Sequence, residues 1–282
     1  MSTWHAMAMP DITIAEGQGR LRVVILSCGE LGSTVATNLA AVPSVDVVAL
    51  VTTPYSRQRL SLSRKLRQTL RSEGVPGLVR AVGRRFARIA SPRTEAVQPT
   101  PSAEVGCPWL RFQDFHEPSC LATLRRLHPD LGVVVGTYIL RPEVFTIPRL
   151  GSINLHMGKV PEYRGAAPAF WELYNGEQEV GVTIHWIETT LDAGRVIRQE
   201  TYPLDPAPAT DPVAYIEQYR RDTLRPQGVR LMVEAVAMVA AGQGAGQPQD
   251  DSRARTYRSP TYRDIRELRR RVRARRAELE VA

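Results

Sequence analysis

The chain has 282 residues, 43% hydrophobic and 23% charged, with a formal net charge of +8; that is enough to bury one substantial core or one core plus a small appendage. No apolar run approaches the roughly 20 residues that cross a bilayer, and the first residues lack the basic-then-apolar pattern of a secretory signal. Cys28, Cys107 and Cys120 are odd in number and lack C-x-x-C spacing, which speaks against a disulfide framework or a thiolate zinc site and for a reducing, cytoplasmic setting.

Residues 1–20 read as a flexible leader. Leu21 to Cys28 is a short apolar run rich in β-branched residues, the pattern of a buried strand. Gly29 and Gly32 follow, then a helix over Ser33 to Ala41 and a second strand over Val45 to Thr53. This βαβ order predicts a parallel sheet with right-handed crossovers. The glycine spacing falls short of the dinucleotide fingerprint, so NAD is not expected. Residues 56–106 break the rhythm: Arg57 to Arg88 holds ten basic residues against the single acid Glu73, and Ser91 to Gly106 is a Pro/Ser/Thr/Ala-rich linker. A helix is expected over Pro118 to His128, and strands over Leu131 to Gly136, Ser152 to His156 and Val180 to Ile187. Between the last two, Ala167 to Tyr174 reads as a helix closed by Asn175-Gly176. Val229, Met232, Val233, Val236 and Val239 recur at helical spacing until Gly242. A loose Gly/Gln stretch then leads to a basic terminal helix dense in arginine from Arg263 to Arg276. The only lysines are Lys65 and Lys159, and the arginine-rich faces read first as solvated surface, with phosphate contact as the alternative. On this reading the terminal tail is dispensable for chemistry.

The stretch from Gly151 to Ile197 carries the chemistry. Asn154 and His156 are two apart on a strand, so their side chains leave the same face. A polar pair near the C-terminal end of such a strand lies where open α/β sheets place their ligands. Gly158, Pro161 and Gly165 shape the loop that follows, around Tyr163-Arg164. Further on, Leu191-Asp192-Ala193-Gly194 is a turn with a carboxylate in its middle. An amide, an imidazole and a carboxylate are what acyl transfer to an amine requires. Each residue alone has a plainer reading: a strand-end amide, a structural histidine, a turn-forming aspartate.

Asn154-Leu155-His156, Pro161-Glu162-Tyr163-Arg164-Gly165-Ala166-Ala167-Pro168, Gly181-Val182-Thr183-Ile184 and Leu191-Asp192-Ala193-Gly194 together resemble the core of the folate-dependent formyltransferases, which include methionyl-tRNA formyltransferase, glycinamide ribonucleotide transformylase and sugar N-formyltransferases. The likeness extends more weakly from Leu21 to about Pro203. It implies an α/β, Rossmann-like, mostly parallel sheet, with a catalytic domain over 21–204 and a helical, basic C-terminal extension over 205–282. The co-substrate it implies is 10-formyltetrahydrofolate. Asn154 would bond the formyl oxygen, His156 would assist proton transfer, and Asp192 would orient and charge-balance His156 and relay protons through water. As a nearby carboxylate, Asp192 should also raise the His156 pKa. Tyr138, Ile139, Leu140, Leu191 and Asp192 would line the folate pocket. No metal is implied, and the remaining histidines, His5, His116, His128 and His185, form no ligand cluster.

Met157-Gly158-Lys159-Val160-Pro161 departs from the pattern of many relatives, and the region after Pro203 reads as helices without the strand-rich barrel of methionyl-tRNA formyltransferase. The expected acceptor is therefore a small-molecule amine, with tRNA disfavoured, no membrane association, and a homo-oligomer admitted. The competing readings are a hydrolase that releases formate from the same folate, and a non-catalytic folate- or nucleic-acid-binding module.

Overall fold

The computed structural model describes residues 19–54 and 105–281. Residues 1–18 of the leader, the basic stretch Arg57 to Arg88 and nearly all of the linker lie outside the described residues. In chain order the elements are β1 (Leu21–Ser27), α1 (Leu31–Ala40), β2 (Val45–Thr52), β3 (Trp109–Arg111), α2 (Pro118–Arg126), β4 (Leu131–Val135), α3 (Pro142–Phe145), β5 (Ser152–His156) and β6 (Arg164–Gly165). They continue with α4 (Phe170–Asn175), β7 (Glu179–Trp186), β8 (Val196–Pro203), α5 (Pro212–Tyr219), α6 (Arg225–Ala240), β9 (Thr256–Tyr257) and α7 (Tyr262–Val281).

Seven strands form one sheet in the order β3-β2-β1-β4-β5-β7-β8. The pairs from β3 through β5 are parallel, and β5–β7 and β7–β8 are antiparallel. The apolar runs of β1 and β4 are buried on both sides, as continuous hydrophobic strands must be at the centre of such a sheet. One face packs on α1 and α6, with Val23, Ile25, Ile153, Leu155, Met232 and Val236 in a single core. On the other face Val24, Leu26 and Val134 meet Cys120 and Leu124 of α2 and Val144 and Phe145 of α3. Each fully buried Leu or Val contributes ~1.5–3 kcal/mol of transfer free energy.

Two departures from the sequence reading have local causes. The fourth helix starts at Phe170, not Ala167, because Ala167 (φ 66°) and Ala169 (φ 64°) take left-handed conformations that no helix can include. Strand β8 carries Arg198, Gln199 and Glu200 on a half-exposed edge, so it shows no apolar run to read.

The terminal helix corrects the expectation of a solvated tail. Leu268 and Val272 are buried in the main core. Arg275 donates to the carbonyls of Leu173 (2.8 Å) and Tyr174 (3.5 Å) at the end of α4, where helix carbonyls lack intrahelical donors. Arg269 pairs with Asp211, Arg271 pairs with Glu267, and the Arg271 guanidinium lies over the Tyr174 ring. Much of this arginine is spent on the protein itself.

Candidate active site

Asn154 sits opposite Val134 of β4 and His185 of β7, and His156 sits opposite Thr183. Because side chains alternate along strands, Asn154, His156, Thr183 and His185 share one face while Leu155, Val182 and Ile184 enter the core on the other. Thr183 is the anchor for the loop after β5. Its hydroxyl donates to the Gly158 carbonyl (2.7 Å), and Gln199 of β8 donates to both Thr183 Oγ1 and the Val160 carbonyl (2.9 Å each).

Strand β7 runs antiparallel to β5, so it ends at Trp186 opposite Ile153, away from His156. Residues 187–195 then travel back across the face before β8 begins. This excursion places the Asp192 carboxylate between two imidazoles, with Oδ2 3.4 Å from His156 Nδ1 and Oδ1 3.5 Å from His185 Nε2. The Gly165 N–H donates to Asp192 Oδ2 (2.8 Å). Burial alone would raise the Asp192 pKa. The adjacent imidazoles and the Gly165 amide outweigh it and hold the group below the ordinary carboxylate range. Asp192 is therefore ionised throughout the neutral range.

His156 Nε2 lies 2.6 Å from the Tyr163 carbonyl, so that nitrogen carries a proton and donates it. Burial pulls the imidazole below its ordinary range, opposed by the Asp192 carboxylate and the Tyr163 carbonyl. Asp192 does push this pKa up, as expected, but desolvation of a buried residue (8% exposed) is the larger effect and sets the net direction. The ring rests neutral, yet a proton added at Nδ1 would meet Asp192 while Nε2 keeps its carbonyl partner. That arrangement can take up one proton and satisfy both N–H groups.

His185, to which the sequence assigned no role, belongs to the cluster. Its Nδ1 donates to the Trp186 carbonyl (2.8 Å), leaving Nε2 as acceptor for the Asn154 amide (3.3 Å). One Asn154 N–H is thereby fixed, and the amide orientation with it. The signal was present as Thr183 and His185 alternating with Val182 and Ile184, two polar side chains leaving one face of a strand. Near His156, a cavity of about 10 Å³ is lined by Tyr163, Gly165, Trp171, Glu172 and Tyr257. Glu172 is 2% exposed, and burial pushes its carboxyl up to about 8.

The proposed pocket residues divide. The Tyr138 hydroxyl donates to Asp114 Oδ1 (2.9 Å) and accepts from the Phe115 N–H (2.8 Å), and Leu140 is buried in the second core. Ile139 is 71% exposed and Leu191 39% exposed. Among the described residues only two other large hydrophobics are so exposed, and both lie at the end of α7. His116 is a satisfied structural histidine, bonded to Asp114 and to the Arg141 N–H, and holds this loop in place. Among the described residues no group of three or more His, Cys, Asp or Glu could hold a metal ion. No described helix is long and apolar enough to cross a membrane.

The family model described as "Formyl transferase" matches residues 42–235. The chain belongs to the formyl transferase family. Methionyl-tRNA formyltransferase of Roseiflexus sp. (strain RS-1) is 36% identical over 176 residues, covering 62% of this chain and 50% of the relative. The chain thus spans about half the length of the curated relatives it matches. Two solved structures share the fold. Glycinamide ribonucleotide transformylase 1 from Symbiobacterium toebii has a TM-score of 0.54 at 18% identity, over 84% of this chain and 100% of that one. A sugar N-formyltransferase from Shewanella sp FDAARGOS_354 has a TM-score of 0.54 at 16% identity, over 89% and 87%. The formyl transferase relatives correct one expectation. Having disfavoured tRNA for want of a barrel, the sequence reading is overturned by relatives that carry methionyl-tRNA formyltransferase as their name while matching this catalytic region.

Proposed function

We propose that the protein transfers the formyl group of 10-formyltetrahydrofolate to a primary amine. The observation that carries this reading is the single face on which Asn154, His156, His185 and Asp192 converge. The exposed Ile139 and Leu191 fit the apolar ring of a folate. In the reaction the amine nitrogen bonds to the formyl carbon, the bond from that carbon to N10 breaks, and the proton lost by the amine ends on N10. Asn154, held by His185, directs its second amide N–H at the oxygen that becomes negative. His156 and Asp192 act as a unit that takes up the amine's proton and later returns it.

Methionyl-tRNA is the first acceptor to try, because the relatives bear its name and because a net charge of +8 favours a polyanion. The test combines the protein, 10-formyltetrahydrofolate and either methionyl-tRNA or an amino sugar nucleotide, and follows tetrahydrofolate together with the formylated product. Tetrahydrofolate should form only with an amine present. Equal rates with and without amine, with formate released, would replace transfer by hydrolysis.

A further inference from the structure

The residues that match the family model end at 235, yet a segment beyond that point is stitched to both turns of the site. The Gly244 carbonyl accepts from Trp186 Nε1 (2.8 Å), and the Arg195 guanidinium donates to the carbonyls of Ala245 and Gly246. Val196 and Gln247 form an isolated antiparallel bridge. At Gln249 the side chain itself does the joining. Its Nε2 donates to the Asp192 carbonyl (2.9 Å) and the Gly194 carbonyl (2.7 Å). Its Oε1 accepts from Arg164 Nε (3.1 Å) and Nη2 (2.6 Å). Arg164 is 5% exposed, and its Nη2 also reaches Asp251 Oδ1 (2.6 Å). Pairing of β6 with β9 completes the seam, with the Arg164 N–H on the Arg255 carbonyl and the Ala166 N–H on the Tyr257 carbonyl.

We infer that Gln249 is a positioning residue for the Asp192 carboxylate, and that the segment 244–257 completes the site. Asp192 needs such support because its backbone is left-handed (φ 50°), a conformation that costs a non-glycine residue on the order of 1 kcal/mol or more. A glutamine amide that binds the carbonyls of residues 192 and 194 fixes the turn around that strained residue. Arg164, adjacent to the Gly165 N–H that holds Asp192 Oδ2, fixes the far end of the same amide. One side chain thus locks the 163–165 turn to the 192–194 turn, and the distance from Asp192 to His156 follows from that lock. The inference rests on the formyl-transfer reading of this site for its rate consequence, but its geometric consequence can be read without any substrate.

The test compares wild type with Gln249→Leu by amine-dependent turnover and by NMR titration of the His156 ring in histidine-labelled protein. The groups facing that ring are Asp192 and His185 across the sheet face, with the Tyr163 carbonyl, Arg164 and Glu172 around the small cavity. Loosening Asp192 withdraws support from the imidazolium, so the His156 midpoint should fall by about half a pH unit or more. The kcat should fall ~10- to 100-fold with the folate KM little changed. Should Gln249→Leu fail to fold, Gln249→Met keeps the length and removes both donations to the 192–194 turn without adding a charge, and the same losses are expected. A His156 midpoint equal to wild type in a folded variant overturns the inference, even if turnover has dropped. A wild-type protein with no formyl transfer would sink the functional proposal alone, since the His156 titration still judges Gln249.

Discussion

At the scale of single residues, charge and burial compete within a few ångströms. Asn154 donates to His185 with one amide hydrogen and has a second for charge that develops only in the transition state. Asn154→Ala should therefore lower kcat ~10²- to 10³-fold with folate KM nearly constant; steady-state kinetics decides. His156 is held below the ordinary imidazole range by burial, with Asp192 opposing. The acidic limb of activity should lie below about pH 6.5, and Asp192→Asn should move it lower still while cutting kcat/KM ~10²-fold. The pH–rate profile of each variant measures both effects. An acidic limb that stays in place in Asp192→Asn would reduce Asp192 to a turn former. Glu172 presents the opposite case. Its carboxyl rises from 4.5 to about 8 on folding, so the folded state binds more protons than the unfolded one between those values. Stability accordingly falls as pH rises through that window, by on the order of a few kcal/mol. Glu172→Gln should raise Tm at pH 9 and leave it little changed at pH 4, as thermal unfolding at the two pH values would show.

At the scale of elements, the site depends on turns more than on strands. The loop after β5 passes so close to its own strand that a Cβ on Gly158 would overlap His156 Nε2 and the Tyr163 carbonyl. Gly165 has φ 97°, donates its N–H to Asp192, and would drive a Cβ into the Tyr257 carbonyl. Gly165→Ala should thus cost ~1–3 kcal/mol from the backbone conformation and separate β6 from β9. Urea unfolding and the His156 titration together test this, because both the fold and the Asp192 contact should suffer.

At the scale of the whole molecule, the parts beyond the sheet are structural members of the same body. Leu268 of α7 is fully buried among the residues of the main core. Leu268→Ala should cost ~2–5 kcal/mol, measured as a lower midpoint in urea, and activity should fall with the folded fraction. A midpoint equal to wild type would return α7 to the status of an independent tail. Several arginines of that helix bond within the protein, as Arg269 does to Asp211 and Arg275 to the end of α4, so net charge alone overstates the charge available to a polyanion.

The sequence by itself determined the sheet and its polar pair. Apolar runs such as Leu21–Ser27 and Leu131–Val135 admit little but buried strands, and period-two alternation commits Asn154 and His156 to one face. Those are local rules, and they act within a few residues. The tertiary structure decided what neighbours that pair. His185 became a partner of Asn154 only through the antiparallel register of β5 and β7, and Asp192 arrived by an excursion that crosses the sheet face. Gln249 met the Asp192 turn across 57 positions of chain, a contact that no spacing encodes. The direction of the His156 shift was set in the same way, since desolvation is a property of everything packed around a ring and cannot be read from the carboxylate beside it.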